Sequence, residues 1–207
     1  MSGAAAPVVV KLGGSLAFSQ DLQQWIAACV ACAGRVVIVP GGGPFADAVR
    51  SAQARMAFDD RAAHEMAVLA MEQYGRALAS GNASLALADC AEAIRHCLAD
   101  RRVPVWMPAR MVFGASDIAS SWDVTSDSLA AWLSSSIGAA RLILVKSVVL
   151  KPGHERGESL AAAGIVDKAF PRYWRAGAVP CSVVGSADHA AAIAAMQDGT
   201  PVGLSVE

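Results

Sequence analysis

Two apolar, β-branched runs near the start of the chain each stop at consecutive glycines. Val8-Val9-Val10-Lys11-Leu12 leads into Gly13-Gly14-Ser15, and Val36-Val37-Ile38-Val39 leads into Pro40-Gly41-Gly42-Gly43-Pro44. A short run of this kind is a buried strand. Glycine at its end lets the backbone come close to something, because no Cβ stands in the way. A helix that follows turns its first N–H groups and the positive end of its dipole to the same spot, which favours phosphate. Two such turns on neighbouring strands suit two phosphorylated ends facing each other, with Lys11 beside the first.

The same alternation of strand and helix continues along the chain. Strands are predicted over Val8–Leu12, Arg35–Val39, Leu85–Ala88, Val103–Trp106, Arg141–Val145, Val179–Val184 and Pro201–Val206, with Val148–Leu150 as a continuation of the fifth. Pro104 and Pro108 mark Val103–Trp106 as short or at an edge. Helices are predicted over Phe18–Ala33, Phe45–Met56, a long stretch from Asp59 or Asp60 through Ser80, Asp89–Leu98, Thr125 or Ser126 to Ile137, Asp167–Arg175 apart from Pro171, and Ala187–Met196. Val112–Ala119 and Lys151–Glu158 read as loops. Repeated βα units with buried strands imply a three-layer α/β/α sandwich around a mainly parallel sheet, in one domain over residues 1–207. Ligands in such folds bind at the carboxyl ends of the strands, where both glycine turns lie.

Composition narrows the function classes. The formal net charge is -1, so no basic surface for nucleic acid or an anionic membrane is expected. Met1–Pro7 carries no basic segment or cleavable apolar core, and no apolar run approaches the roughly 18 residues of a membrane span. A cytoplasmic protein is expected. The five cysteines form no disulfide framework. Cys29-Val30-Ala31-Cys32 lies in an amphipathic helical pattern without a second ligand pair, which points to packing rather than to zinc.

The phosphate-binding motif G-x-x-x-x-G-K-[ST] is absent, as is the dinucleotide fingerprint G-x-G-x-x-G with its later acidic residue. The motifs present are K-x-G-G-S at Lys11–Ser15, P-G-G-G-P at Pro40–Pro44, W-D-V-T-S-D-S at Trp122–Ser128 and G-I-V-D-K at Gly164–Lys168. In this order they resemble the amino acid kinase superfamily, over nearly the whole chain. His64 through Tyr74 (H-E-M-A-V-L-A-M-E-Q-Y) and W-D-V-T-S-D-S are similar to a small branch from archaea and methylotrophic bacteria. The characterised activity of that branch is [5-(aminomethyl)furan-3-yl]methyl phosphate kinase, on the route to methanofuran-type one-carbon carriers.

The resemblance implies an ATP-dependent kinase for a small-molecule phosphate, with Mg²⁺ held chiefly by the nucleotide, and a homo-oligomer. It implies that Lys11 binds the transferring phosphoryl group, that Gly13, Gly14 and Ser15 touch ATP phosphates, and that Gly41, Gly42 and Gly43 cradle the acceptor. Asp127 is expected to orient two catalytic lysines, with Thr125 and Ser126 as helix caps within reach of the nucleotide. Lys168 is the candidate second lysine, although the double glycine and methionine of the family pattern are missing before it. Its other reading is a surface ion pair with Asp167. Lys146 resembles a strand-end nucleotide contact of uridylate kinases. His64 is either an acceptor contact or a structural hydrogen-bonding residue, while His96, His154 and His189 belong to no motif. Trp122 and Asp123 offer an aromatic face and a carboxylate to an aminomethylfuran; packing and turn capping are their other reading. The alternatives are an isopentenyl phosphate-, uridylate- or amino-acid-type kinase of the same fold, or a nucleotide- or oxyanion-binding protein without turnover.

Overall fold

The computed structural model describes residues 5–148 and 155–207. Its strands are β1 (Val8–Leu12), β2 (Val36–Pro40), β3 (Leu85–Ala88), β4 (Val103–Trp106), β5 (Arg141–Lys146), β6 (Cys181–Gly185) and β7 (Leu204–Ser205). They form a seven-stranded sheet in the order β3-β4-β2-β1-β5-β6-β7. Every pairing is parallel except β6 with β7. The helices are α1 (Asp21–Ala31), α2 (Gly43–Met56), α3 (Asp60–Ala79), α4 (Ala91–Ala99), α5 (Ala109–Val112), α6 (Ser126–Ser136), α7 (Gly157–Ala162), α8 (Phe170–Gly177) and α9 (His189–Asp198).

The strand period of two divides the apolar residues between the faces of the sheet. Val9, Val37, Val39, Leu142 and Leu144 join a core with Leu129 and Leu133 of α6 and Phe170 of α8. Val10, Ile38, Ile143 and Val145 join a second core with Trp25 of α1 and Met196 of α9. Helices therefore cover both faces, as the alternation of βα units requires. No described helix is long and apolar enough to cross a membrane.

Several boundaries differ from expectation for local reasons. Strand β4 is short but lies between β3 and β2 rather than at an edge, and its ladder to β2 is reduced to the register pair Ile38↔Val105. Val112 closes the short helix α5 instead of opening a loop. Pro171 sits in the first turn of α8, where a missing N–H costs nothing, so that helix begins at Phe170 rather than Asp167. Gly157 and Glu158 begin α7 rather than ending a loop. Strand β5 stops at Lys146, and the rest of the predicted 148–150 continuation lies largely outside the described residues, as do the first part of the 151–158 loop and His154. Cys29 and Cys32 are buried in the second core, and the described residues contain no group of metal-ligating side chains.

Candidate active site

Parallel pairing brings the carboxyl ends of β1, β2 and β5 to one edge of the sheet. Lys11, next to last in β1, is in register with Val39 and Leu144. Lys146 is the last residue of β5. Asp127 lies in the first turn of α6, which packs over these strands. The three side chains converge. Lys11 Nζ is 2.9 Å from Asp127 Oδ1, and Lys146 Nζ donates to Asp127 Oδ2 at 2.7 Å. Each ammonium thus holds one oxygen of the Asp127 carboxylate.

Burial shapes the charge states. It opposes ionisation of Asp127, but the Lys11 and Lys146 ammoniums outweigh it and hold the carboxyl well below the usual carboxylate range. Burial pulls the Lys146 ammonium down to about 8, against the attraction of Asp127 and with help from the like charge of Lys11. Asp127 is therefore a fixed anion and a poor base, while Lys146 is a cation close to its titration point.

The two glycine turns stand back to back. A Cβ on Gly14 would run into the backbone of Gly43, and one on Gly41 into the backbone of Gly14. A Cβ on Gly42 would strike Ala46 one turn into α2, and Gly43 has φ +54°, which favours glycine. Much of the glycine run thus serves the contact of one turn with the other. Gly13 differs, since its Cβ would lie 3.4 Å from Lys11 Nζ at ordinary contact distance. Ser15 accepts a hydrogen bond from Ser147 at 2.7 Å, tying the first turn to the end of β5.

A cleft of 330 Å³ opens beside these turns, lined in part by Gly14, Ser15, Gly42, Gly43, Thr125 and Ser126. Val68, Met71 and Leu129 give it an apolar wall, and Asp47, Arg50, His64 and Trp122 its polar one. The Arg50 guanidinium lies 4.5 Å over the Trp122 ring and donates to Asp47 at 2.9 Å. Trp122 Nε1 donates to Gln53 at 2.7 Å. His64 is only 4% exposed. Burial pushes its imidazole down, against a hydrogen bond with the Ser121 backbone and the charge of Glu65.

The structure brings most of the expected residues together and places Lys168 and Asp123 elsewhere. Lys168 is 81% exposed and pairs with Asp123 at 3.3 Å, so it is not the second lysine on Asp127. Lys146 holds that position. Asp123, taken up by Lys168, does not line the cleft with Trp122. Thr125 stands at the N-cap of α6, yet its hydroxyl donates to Asp167 at 2.8 Å instead of capping the helix. Sequence reasoning missed Asp47, Arg50 and Gln53. Their spacing of three along the helix after the second glycine turn is the signal that puts them on one face. It also missed that Lys11 and Lys146 end neighbouring strands, which only the strand order reveals.

The sequence profile of the amino acid kinase family matches residues 6–149. A [5-(aminomethyl)furan-3-yl]methyl phosphate kinase from Methanocaldococcus jannaschii is 25% identical over 144 residues. That match spans 68% of this chain and 65% of the relative, just under two thirds of its length. Among solved structures, a uridylate kinase from Archaeoglobus fulgidus superposes with a TM-score of 0.72 at 18% identity, covering 97% of this chain and all of that one. A UMP kinase from Ureaplasma parvum gives 0.60 at 15% identity, over 86% of this chain and 88% of its own. At these identities the two structures speak for the fold, a mainly parallel sheet between helices.

Proposed function

Because the chain belongs to the amino acid kinase family, we propose that it transfers the γ-phosphoryl group of ATP to a small phosphomonoester, [5-(aminomethyl)furan-3-yl]methyl phosphate, forming the diphosphate. The observation that carries this reading is Asp127 held between Lys11 and Lys146 beside the glycine-turn cleft. Lys11 and Lys146 present two ammoniums to incoming phosphates, with the buried Asp127 carboxylate held between them. Phosphoryl transfer needs positioning and neutralisation of charge on the equatorial oxygens, which two fixed ammoniums supply. The Gly42-Gly43 start of α2 and the Arg50 guanidinium offer donors to the acceptor's phosphate, and Val68, Met71 and Leu129 offer a surface to its ring.

Asp127 supports an anionic acceptor. A carboxylate held this far down does not take a proton from an alcohol at neutral pH. A phosphate monoester, with a second pKa near ~6, is already mostly a dianion and attacks without a base. The described residues provide no cage for Mg²⁺, so the ion would be carried by ATP's own phosphates, whose charge it neutralises. An ATP-dependent assay across small phosphomonoesters, carboxylates and alcohols tests the proposal. ADP formation with the aminomethylfuran phosphate above all others is expected. Preference for an alcohol would refute the acceptor class, and ATP binding without ADP release would refute the kinase reading.

A further inference from the structure

Asp167 is the acid of the G-I-V-D-K motif, and its side chain does not pair with the adjacent Lys168. It lies between α7 and α8, after the buried pair Ile165 and Val166. Its neighbour Lys168 turns away to Asp123, leaving Asp167 free for the interior. Its Oδ2 accepts from the Thr125 N–H at 3.0 Å, the Thr125 hydroxyl at 2.8 Å and the Ser128 N–H at 3.0 Å. Its Oδ1 accepts a hydrogen bond from the Ser128 hydroxyl. Its own N–H donates to Asp127 Oδ2 at 3.2 Å.

Asp127 lies between Thr125 and Ser128, so one distant residue holds the turn on both sides of it and also touches its carboxylate. An ordinary N-cap would come from Thr125 itself. Here the Thr125 hydroxyl donates outward, and the N–H groups of Thr125 and Ser128 are satisfied by one residue 42 and 39 positions along the chain. We infer that Asp167 is the positioning residue that fixes Asp127 between Lys11 and Lys146, without touching the transferred group itself.

Charge adds to geometry. The titratable groups around Lys146 among the described residues are Lys11 on β1, Asp127 on α6, Asp167 itself and the Cys181 thiol on β6. Burial keeps that thiol protonated. Of these, Asp127 and Asp167 favour the charged ammonium of Lys146. Asp167 thereby helps to keep Lys146 protonated while it orients the acid that holds it.

The inference rests on the phosphotransferase reading for its kinetic consequences, but not for its electrostatic one. The test compares Asp167→Asn and Asp167→Ala in the full chain. In each, kcat and the ATP KM are measured, and the titration of Lys146 is followed by carbon-13 NMR at its ε-carbon, assigned with Lys146→Arg. The asparagine can keep most of the hydrogen bonds without the charge. Asp167→Ala is expected to lower kcat about 10²-fold, the cost of a misplacement of roughly an ångström, with ATP KM within ~3-fold. Asp167→Asn is expected to recover most of kcat near neutrality, while the Lys146 titration moves acidward. An unmoved Lys146 titration in Asp167→Asn, or wild-type kcat in Asp167→Ala, overturns the inference. If the alanine variant does not fold, the asparagine titration decides alone. If the wild-type protein turns over no acceptor, the kinase reading fails and the titration still decides the role of Asp167.

Discussion

Gly14 and Gly43 meet backbone to backbone, so that a single methyl group on Gly14 would occupy the place of the Gly43 main chain. This contact welds the turn after β1 to the start of α2 and closes one side of the cleft. Gly13, one residue earlier, has φ -62° and ψ 150°, a conformation open to any residue. Its nearest neighbours would lie 3.4 to 3.5 Å from an added Cβ.

Neighbouring glycines are therefore expected to separate stability from turnover. Gly14→Ala is expected to destabilise the fold by about 1–3 kcal/mol through overpacking. Gly13→Ala is expected to stay within about 0.5 kcal/mol of wild type while lowering turnover, since its methyl group stands against the Lys11 ammonium. Denaturant unfolding and steady-state kinetics on both variants check the contrast. Equal unfolding midpoints would sink it.

The three lysines make a second contrast. Lys11→Ala and Lys146→Ala are each expected to lower kcat by ~10²–10³, the scale for one preorganised donor. Lys168→Ala removes an exposed ion pair of little energetic weight and is expected to leave kcat within about 2-fold. An ADP-release assay ranks the three. A crippled Lys168→Ala enzyme beside a healthy Lys146→Ala enzyme would reverse the assignment.

Lys146 is also expected to set a pH limit on turnover. Its ammonium is brought down to about 8 in the free site, chiefly by burial. The kcat/KM for ATP reports the free enzyme and is expected to fall as pH rises through that value. Lys146→Arg, which does not lose its proton in this range, is expected to lack that limb whatever its absolute rate. A basic limb shared by both proteins would assign the titration elsewhere.

Stability at low pH follows Asp127. Its folded carboxyl is held below the unfolded value, so the unfolded chain binds the proton first as pH falls. The stabilisation is complete above the unfolded value of 3.8 and is lost as pH drops toward the lower folded one. Asp127→Asn is expected to flatten the dependence of unfolding free energy on pH below about 5. Parallel curves for the variant and wild type would contradict the buried ion pair.

On the proposed reading, acceptor choice is expected to involve Asp47, which is paired with Arg50 at 2.9 Å. It is the carboxylate that shares the cleft wall with Trp122, whereas Asp123 faces Lys168. Asp47→Asn is expected to raise KM for an aminated acceptor several-fold, as for a charge-assisted contact, and to spare an analogue without the amine. Asp123→Asn is expected to change neither. Equal effects of Asp47→Asn on both acceptors would remove the amine from its role.

How far the sequence led depends on whether a feature is local. The first strands, the cap of α3 and the glycine turns were legible because each rests on neighbours within a few residues. Asp59 caps α3 by accepting from the Ala62 N–H at 2.8 Å, as an acid before a helical run should. Trp122 stands in a motif quoted from the sequence and lines the cleft. Lys168 was open between two readings because its spacing from Gly164 resembled the family pattern; it stands in a surface ion pair, with Asp123 rather than Asp167.

The sequence by itself determined the alternation of strands and helices, the glycine turns at strand ends, and Lys11 and Asp127 as a charged pair to watch. Strand order was decided only in three dimensions, and with it the placing of β5 beside β1 that makes Lys146 the second ammonium on Asp127. Asp167 at the head of α6 was decided there too. The reason is physical: periodicity and turn chemistry act over a few residues. A buried charge, by contrast, takes its partner from whichever segment the packed core brings within hydrogen-bond reach.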